Sequence, residues 1–374
     1  MGLLFRCASI ICMILLPVFV LTACQDRQPL KIGFVGGLTG RNGDLGTAGR
    51  DGAQLAIDTI NAAGGIMGRT LELVVRDDKS DPDEAKRSVK ELVDAKVVTI
   101  VGPMTSAMAA ATIPITDAAR LVMLSPTVAG SGKDFTGRDD YFLRLIMNSN
   151  TAAATAERMV STLGIRRVAV ICDTSNRSFT TSLVDTYKAR LESLGGTIAV
   201  EQCFNGKEQP DFTADAKAVI GQGVQGILIV AGAVDSAMIC QQLRKLGSAV
   251  PIFIAEWGGT NEFIKAGGRS VDGAYVFQHF NSDSTSPPFL AFKEAYAKRF
   301  GDAPSFAATY SYEAVSVIAE ALKKNPDVSR IKETIIGVQH FNGLQGAIDL
   351  DRFGDAVRSF SLMQVRDGRF VRME

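Results

Sequence analysis

The sequence predicts an α/β fold of two doubly wound parallel-sheet lobes, and three observations carry that prediction. Short apolar β runs alternate with helical runs from Lys31 onward, the order that lays parallel strands under a cover of helices. The connections are short, and turn or cap residues such as Gly64-Gly65 and Asp81-Pro82 punctuate them. The chain has 374 residues, 46% of them hydrophobic, long enough for two separate cores.

The elements follow in order. Residues 31–35 form a β run, and 47–63 place Ala48, Leu55, Ala56 and Ile60 on one helical stripe that Gly64 ends. A strand over 71–75 precedes a helix opened by Asp81 as cap and Pro82 in the first turn; 97–101 is a buried strand. A helix over 106–119, a strand over 121–124, a polar loop over 125–137 and a strand over 141–145 complete the first series. The second series alternates helices over 151–163, 181–194, 212–220 and 236–246 with strands over 168–172, 197–200, 227–230 and 252–255. A strand over 274–278, helices near 288–300 and 307–324, and a strand-and-hairpin ending over 346–371 close the chain.

Forty basic residues balance forty acidic ones, so no long-range field points to nucleic acid. The N-terminus reads as an export signal: Arg6 precedes an apolar run over 7–23 that contains Pro17 and ends in small residues. Leu21, Thr22, Ala23 and Cys24 resemble the lipobox of bacterial lipoproteins, in which the cysteine is acylated. An ordinary signal peptide is the alternative, and either reading places the product outside the cytoplasm. The expected location is the periplasm or cell envelope, with a lipid anchor at Cys24. Beyond the leader only Cys172, Cys203 and Cys240 remain; Cys172 and Cys203 end consecutive strands and are either a disulfide or two buried thiols. With two histidines, His279 and His340, and no Cys-x-x-Cys pair, no metal site is expected.

In open parallel sheets ligands bind beyond the carboxyl ends of the strands, so function is sought in those loops. Gly36, Gly37 and Gly40 do not spell a dinucleotide fingerprint, and Gly130-Ser131-Gly132-Lys133 is followed by Asp134 where a phosphate loop needs Ser or Thr. No nucleophile elbow or defensible triad occurs. The expectation is a protein without catalytic residues or cofactor. Thr105 and Ser106 stand at a helix N-terminus, which either suits a carboxylate or simply caps the helix.

The opening stretch from Lys31 to Gly40, the Asn61, Gly64, Gly65, Ile66 turn, Asp77, Asp78, Asp81 and Pro82, then Gly102, Ser106, Ser125 and Pro126 follow a known order. With Tyr312 to Ala314, Gly343 to Gly346 and Asp351 to Asp355 they resemble the branched-chain amino-acid-binding (Leu/Ile/Val-binding) family, type I periplasmic solute-binding proteins of ABC transporters. The resemblance covers nearly the whole mature chain. It implies two lobes joined by three crossovers, near 147–150, 277–281 and 357–360. The lobes would comprise 30–147 plus 281–357 and 148–280 plus 358–374, after a signal peptide over 1–23 and a linker over 24–29.

The resemblance also implies a small-molecule ligand, an amino acid or related carboxylate, captured between the lobes and handed to an ABC permease. The ligand carboxylate would meet the Ser106 hydroxyl and the loop after Ser125 and Pro126. There Ala129 replaces a threonine and Thr127 could supply the missing hydroxyl; Thr105 flanks them and Leu45 forms an apolar wall. In the second lobe Arg177 falls at a tyrosine position, Gly232 at another aromatic position, and Trp257 at the glutamate that pairs with the α-ammonium. Glu256 or Asp235 could take that role. Arg177 offers bidentate recognition of a second carboxylate or is a solvated lip residue; Trp257 offers a flat face or simple packing. An acidic or aromatic carboxylate therefore stands beside an aliphatic amino acid as ligand. The rival to a transport receptor is an exported ligand sensor of the same fold.

Overall fold

The computed structural model describes residues 28–40, 43–131, 135–146, 151–208 and 211–373. The expected leader, Cys24 and the crossover near 147–150 lie outside the described residues. Among the described residues no helix is long and apolar enough to cross a membrane.

The first sheet contains β1 (Leu30–Gly36), β2 (Leu71–Asp77), β3 (Thr99–Val101), β4 (Met123–Ser125) and β5 (Phe142–Arg144), all parallel in the order β2-β1-β3-β4-β5. The β1 sequence is almost continuously buried, as a central parallel strand covered on both faces must be. Between these strands run α1 (Gly43–Ala62), α2 (Pro82–Asp94) and α3 (Ser106–Ala119). The α2 start is as expected: the Asp81 side chain accepts from the Asp83 and Glu84 N–H groups at 3.0 and 3.3 Å. Asn61 staples the end of α1 to the start of β2, donating to the Leu71 carbonyl at 2.9 Å and accepting the Leu71 N–H at 2.7 Å.

The second sheet is built on β6 (Arg167–Asp173), β7 (Thr197–Phe204), β8 (Gly226–Val230), β9 (Ile252–Ile254) and β10 (Tyr275–Gln278). Its helices are α4 (Thr151–Glu157), which continues into a π turn over Arg158–Thr162, then α5 (Arg177–Ser193), α6 (Thr213–Val219), α7 (Ala233–Lys245) and α8 (Asn261–Gly267). After β10 the chain returns to the first sheet as α9 (Pro287–Phe300) and α10 (Phe306–Lys324). There α10 lies against α1; a Cβ on Gly52 would sit 2.0 Å from the Ala308 carbonyl oxygen, so the close crossing requires glycine.

A short helix, α11 (Ile331–Val338), leads to a small antiparallel sheet of β11 (His340–Asn342), β12 (Ala347–Leu350) and β13 (Ala356–Val357). The chain then rejoins the second sheet as the hairpin β14 (Ser361–Arg366) and β15 (Arg369–Arg372), giving the order β15-β14-β10-β9-β8-β6-β7 with β14 antiparallel to β10. Sequence periodicity does not mark α8 or α11, which are only seven and eight residues long. It also cut β7 short at 200, because this edge strand mixes exposed and half-buried residues rather than presenting an apolar run.

Buried polar residues tie the chain returns to the sheets. Arg144, fully buried on β5, forms a two-pronged ion pair with Asp355, Nε to Oδ1 at 2.7 Å and a second guanidinium nitrogen to Oδ2 at 2.8 Å; it also donates to the Gly130 carbonyl at 2.6 Å. Arg358 donates to the Leu145 carbonyl at 2.7 Å and to Glu313 at 2.6 Å. Gln345 exchanges two hydrogen bonds with the Asn281 backbone, at 2.6 and 3.1 Å. Cys172 and Cys203, register partners on β6 and β7, are joined in a disulfide with Cα atoms 4.5 Å apart. Cys240 is a free thiol that burial pushes up to about 12.

Asp78, in the turn between β2 and α2, is almost fully buried, and burial pushes its carboxyl up to about 6. The Ser80 N–H opposes the shift, and the neighbouring Asp77 reinforces it. The folded chain thus keeps a proton that the unfolded chain releases near pH 4, so stability falls as pH rises from about 4 to about 6. Asp78→Asn is expected to remove that slope and to stabilise the protein at pH 7.5 by about 2–3 kcal/mol. Urea unfolding of both proteins at pH 4, 5, 6 and 7.5 checks this; parallel curves across that range would contradict it.

Candidate functional site

The carboxyl ends of the two sheets face each other across a cleft, and at its centre lies a small cavity of about 30 Å³. Its first-lobe wall comes from Leu45 near the start of α1, from Met104, Thr105 and Ser106 leading into α3, and from Thr127 and Ala129 after β4. Its second-lobe wall comes from Asn176 and Phe179 around the start of α5 and from Glu256 and Trp257 after β9. Ile146 and Phe306 close it.

Each polar group in this wall has a fixed direction. Ser106 Oγ is buried and accepts the Gly130 N–H at 3.1 Å, which leaves its own proton to donate to a ligand oxygen. Thr105 holds the N-cap position of α3, but its side chain makes no capping bond. The Ala107 N–H at the same helix start is taken by Asn176 Oδ1, at 3.0 Å across the cleft. Thr127 spends its hydroxyl on the Met104 carbonyl at 2.6 Å, and Ser125 bonds the Pro103 carbonyl at 2.7 Å while accepting the Val128 N–H at 3.1 Å. The strand-to-helix loop is therefore braced from within, with Ser106 at its open side.

On the opposite wall Glu256 opens a single 3₁₀ turn, Glu256–Gly258. Its carboxylate accepts the His279 backbone N–H at 2.9 Å and meets His279 Nδ1 at 2.8 and 3.0 Å. The next residue, Trp257, is 7% exposed and stands edge-on to Phe179, ring centres 6.1 Å apart. The Ser106 hydroxyl at a helix start thus opposes a carboxylate, with Leu45, Phe179, Trp257 and Phe306 as apolar walls.

Seven of the nine residues expected to contact ligand line this cavity: Leu45, Thr105, Ser106, Thr127, Ala129, Glu256 and Trp257. Arg177 and Asp235 do not. Arg177 is exposed, because α5 begins one residue after Asn176 and turns the arginine outward while Asn176 and Phe179 face the cleft. Asp235 is buried in the first turn of α7, away from the lining. Asn176, Phe179, Met104, Ile146 and Phe306 also line the cavity, beyond the residues that the sequence points to. For the first two a signal existed, since residues three apart share a helix face and Asn is a favoured helix-start residue.

Hydrogen bonds span the mouth of the cleft. Thr260 donates to Asp44 at 2.9 Å, Lys207 pairs with Asp81 at 3.1 Å, and the Ser131 N–H meets Ser182 Oγ at 3.1 Å. Asn261 donates to the Ala303 carbonyl at 3.1 Å, and Lys265 pairs with Asp302. Burial in this contact pushes the Asp44 carboxyl up, against the pull of the Thr260 hydroxyl and the Leu45 N–H. The lobes are closed on one another. Such an arrangement can enclose a small polar molecule, and its latch groups can re-form only when the lobes meet.

A family model described as periplasmic binding protein matches residues 29–369. The Leu/Ile/Val-binding protein BraC3 of Rhizobium johnstonii is 24% identical over 352 residues, covering 92% of this chain and 94% of that protein. The leucine binding protein LivK of Thermotoga maritima superimposes with a TM-score of 0.84 at 26% identity, covering 92% of this chain and 98% of the other. LivJ of Streptococcus pneumoniae, a branched-chain amino acid transporter substrate binding protein solved in complex with isoleucine, gives 0.84 at 26% identity, covering 92% and 100%. The chain belongs to the periplasmic binding protein family.

Proposed function

We propose that the protein is an extracytoplasmic solute-binding receptor that closes its two lobes on a small amino acid and presents it to an ABC importer. One observation carries the reading: Ser106 with the α3 start faces Glu256 across a cavity whose remaining walls are largely apolar. That is the complement of an α-amino acid, with its carboxylate at the helix start, its ammonium at Glu256 and its side chain against Trp257 and Phe179. The names of the relatives, which bind leucine, isoleucine or valine, support the same class.

In this reading the lobes divide as 30–147 plus 281–357 and 148–280 plus 358–374, and Cys24 carries the lipid anchor that keeps the receptor at the membrane beside its permease. Ligand contacts from both lobes shift the open and closed forms towards closure, which contacts to one lobe alone would not do. No bond is made or broken. Arg177 and Asp235 have no place among the ligand contacts; Asn176 takes the position at the second-lobe wall that Arg177 was expected to hold.

A thermal-shift screen of the mature chain against neutral amino acids, dicarboxylates and aromatic acids tests the ligand class, since binding to the native state raises apparent stability by mass action. Stabilisation by neutral amino acids is expected; stabilisation only by acids lacking an amine would remove Glu256 from the ammonium role. Ser106→Ala is expected to weaken the best ligand by roughly 1–3 kcal/mol, read by calorimetric titration. Unchanged affinity would confine the Ser106 hydroxyl to bracing Gly130.

A further inference from the structure

A second, larger cavity of about 710 Å³ lies on the second lobe and shares no residue with the one between the lobes. Its wall on one side is the π turn over Arg158–Thr162, where the Leu163 N–H reaches back five residues to the Arg158 carbonyl at 3.2 Å. Such wide turns are uncommon and recur at functional sites. Here the turn sets Arg158, Ser161 and Thr162 along the cavity.

The charge of this cavity is uneven. Arg190 is paired with Glu157 at 2.6 Å, whereas Arg158 has its Nε fully shielded from solvent without a hydrogen-bond partner among the described residues. Arg372, exposed at the end of β15, brings a third guanidinium to the same wall. Among the described lining residues, one carboxylate stands against three guanidiniums. The shielded Nε cannot be reached from the cavity, so a ligand there would meet the terminal guanidinium nitrogens of Arg158. The opposite side is aromatic: Phe277 and Phe360 stand edge to face, ring centres 5.8 Å apart, beside Leu362 and Met373.

We propose that this cavity is a second binding site, for a small organic anion with a flat or branched apolar body. Its carboxylate is held by Arg158 and Arg372, and its body lies against Phe277 and Phe360. Guanidinium forks bind carboxylates in two-pronged geometry, and aromatic walls take a flat apolar body. This inference does not depend on the identity of the solute in the interlobe cavity.

Phenylacetate, titrated calorimetrically into the mature chain, is the probe, with benzyl alcohol and inorganic phosphate as the body-only and charge-only controls. A saturable one-to-one heat is expected in the parent protein and in Trp257→Ala. It should weaken at least tenfold in Arg158→Gln and severalfold in Arg372→Gln, with no comparable heat from either control. Arg372 is exposed, so its variant carries the test should Arg158→Gln fail to fold. Three results would each overturn the proposal: both arginine variants titrating like the parent, a heat that vanishes in Trp257→Ala, or phosphate binding as tightly as phenylacetate.

Discussion

Asp355→Ala is expected to destabilise the folded chain by about 3–5 kcal/mol, because it strands a buried guanidinium without its partner. Arg144 is 0% exposed and Asp355 3% exposed, and both carboxylate oxygens are engaged at 2.7 and 2.8 Å. The loss is a large share of the ~5–15 kcal/mol that holds a typical domain together. Urea unfolding measures it directly, and a loss below about 1 kcal/mol would place this pair among weak surface bridges. Replacing both partners, as Arg144→Met with Asp355→Leu, should recover most of the loss, since two apolar groups leave no orphaned charge.

The same pair acts on the site. Arg144 grips the Gly130 carbonyl at 2.6 Å, and the Gly130 N–H anchors Ser106 Oγ at 3.1 Å. A folded Asp355 variant should therefore bind ligand more weakly than its remaining stability alone accounts for. A core ion pair 211 residues apart in sequence thus helps set the direction in which one hydroxyl points.

Glu256→Gln is the second large effect, and it falls on binding rather than on folding. Glutamine keeps an oxygen for the His279 N–H, now at 2.9 Å, but loses the charge that, in the proposed function, pairs with the ligand ammonium. A charge-assisted hydrogen bond contributes about 1.5–3 kcal/mol, so affinity for isoleucine should fall roughly 10- to 100-fold. The amine-free acid of the same skeleton, 3-methyl-2-oxopentanoate, should lose nothing. Paired calorimetric titrations of the two ligands supply the check. Equal losses for both would show that the substitution had disturbed the cavity wall as a whole, and not an ammonium contact.

Much of this architecture is legible in the sequence. The parallel sheets follow from alternating apolar runs with cap and turn residues, and the α2 cap at Asp81 and Pro82 is visible residue by residue. The first-lobe wall is legible too, because a strand, a turn and a helix start place Thr105 and Ser106 beyond a strand end. The second-lobe wall is less so. One residue of helix register separates Asn176, which faces the cleft, from Arg177, which faces solvent, and no period resolves a helix start that finely.

Long-range partnerships are the part that sequence hides. Nothing near Glu256 announces His279, and nothing near Arg144 announces Asp355. The Gly343 to Gly346 and Asp351 to Asp355 motifs stand out as resemblances, but their physical roles emerge only in three dimensions. Gln345 brackets the Asn281 backbone where the chain leaves β10, and Asp355 neutralises Arg144. The Cys172–Cys203 bond likewise needed the register of β6 against β7 to decide between a bridge and two thiols.

An amino acid enclosed between Ser106 and Glu256 would lie beside the protein's own reporter. Trp257 is the sole tryptophan and lines the cavity, so its emission responds to what enters there. Titration of isoleucine into the protein should change that emission saturably, with one ligand bound per chain. An emission spectrum that stays unchanged through the full set of neutral amino acids would contradict the account.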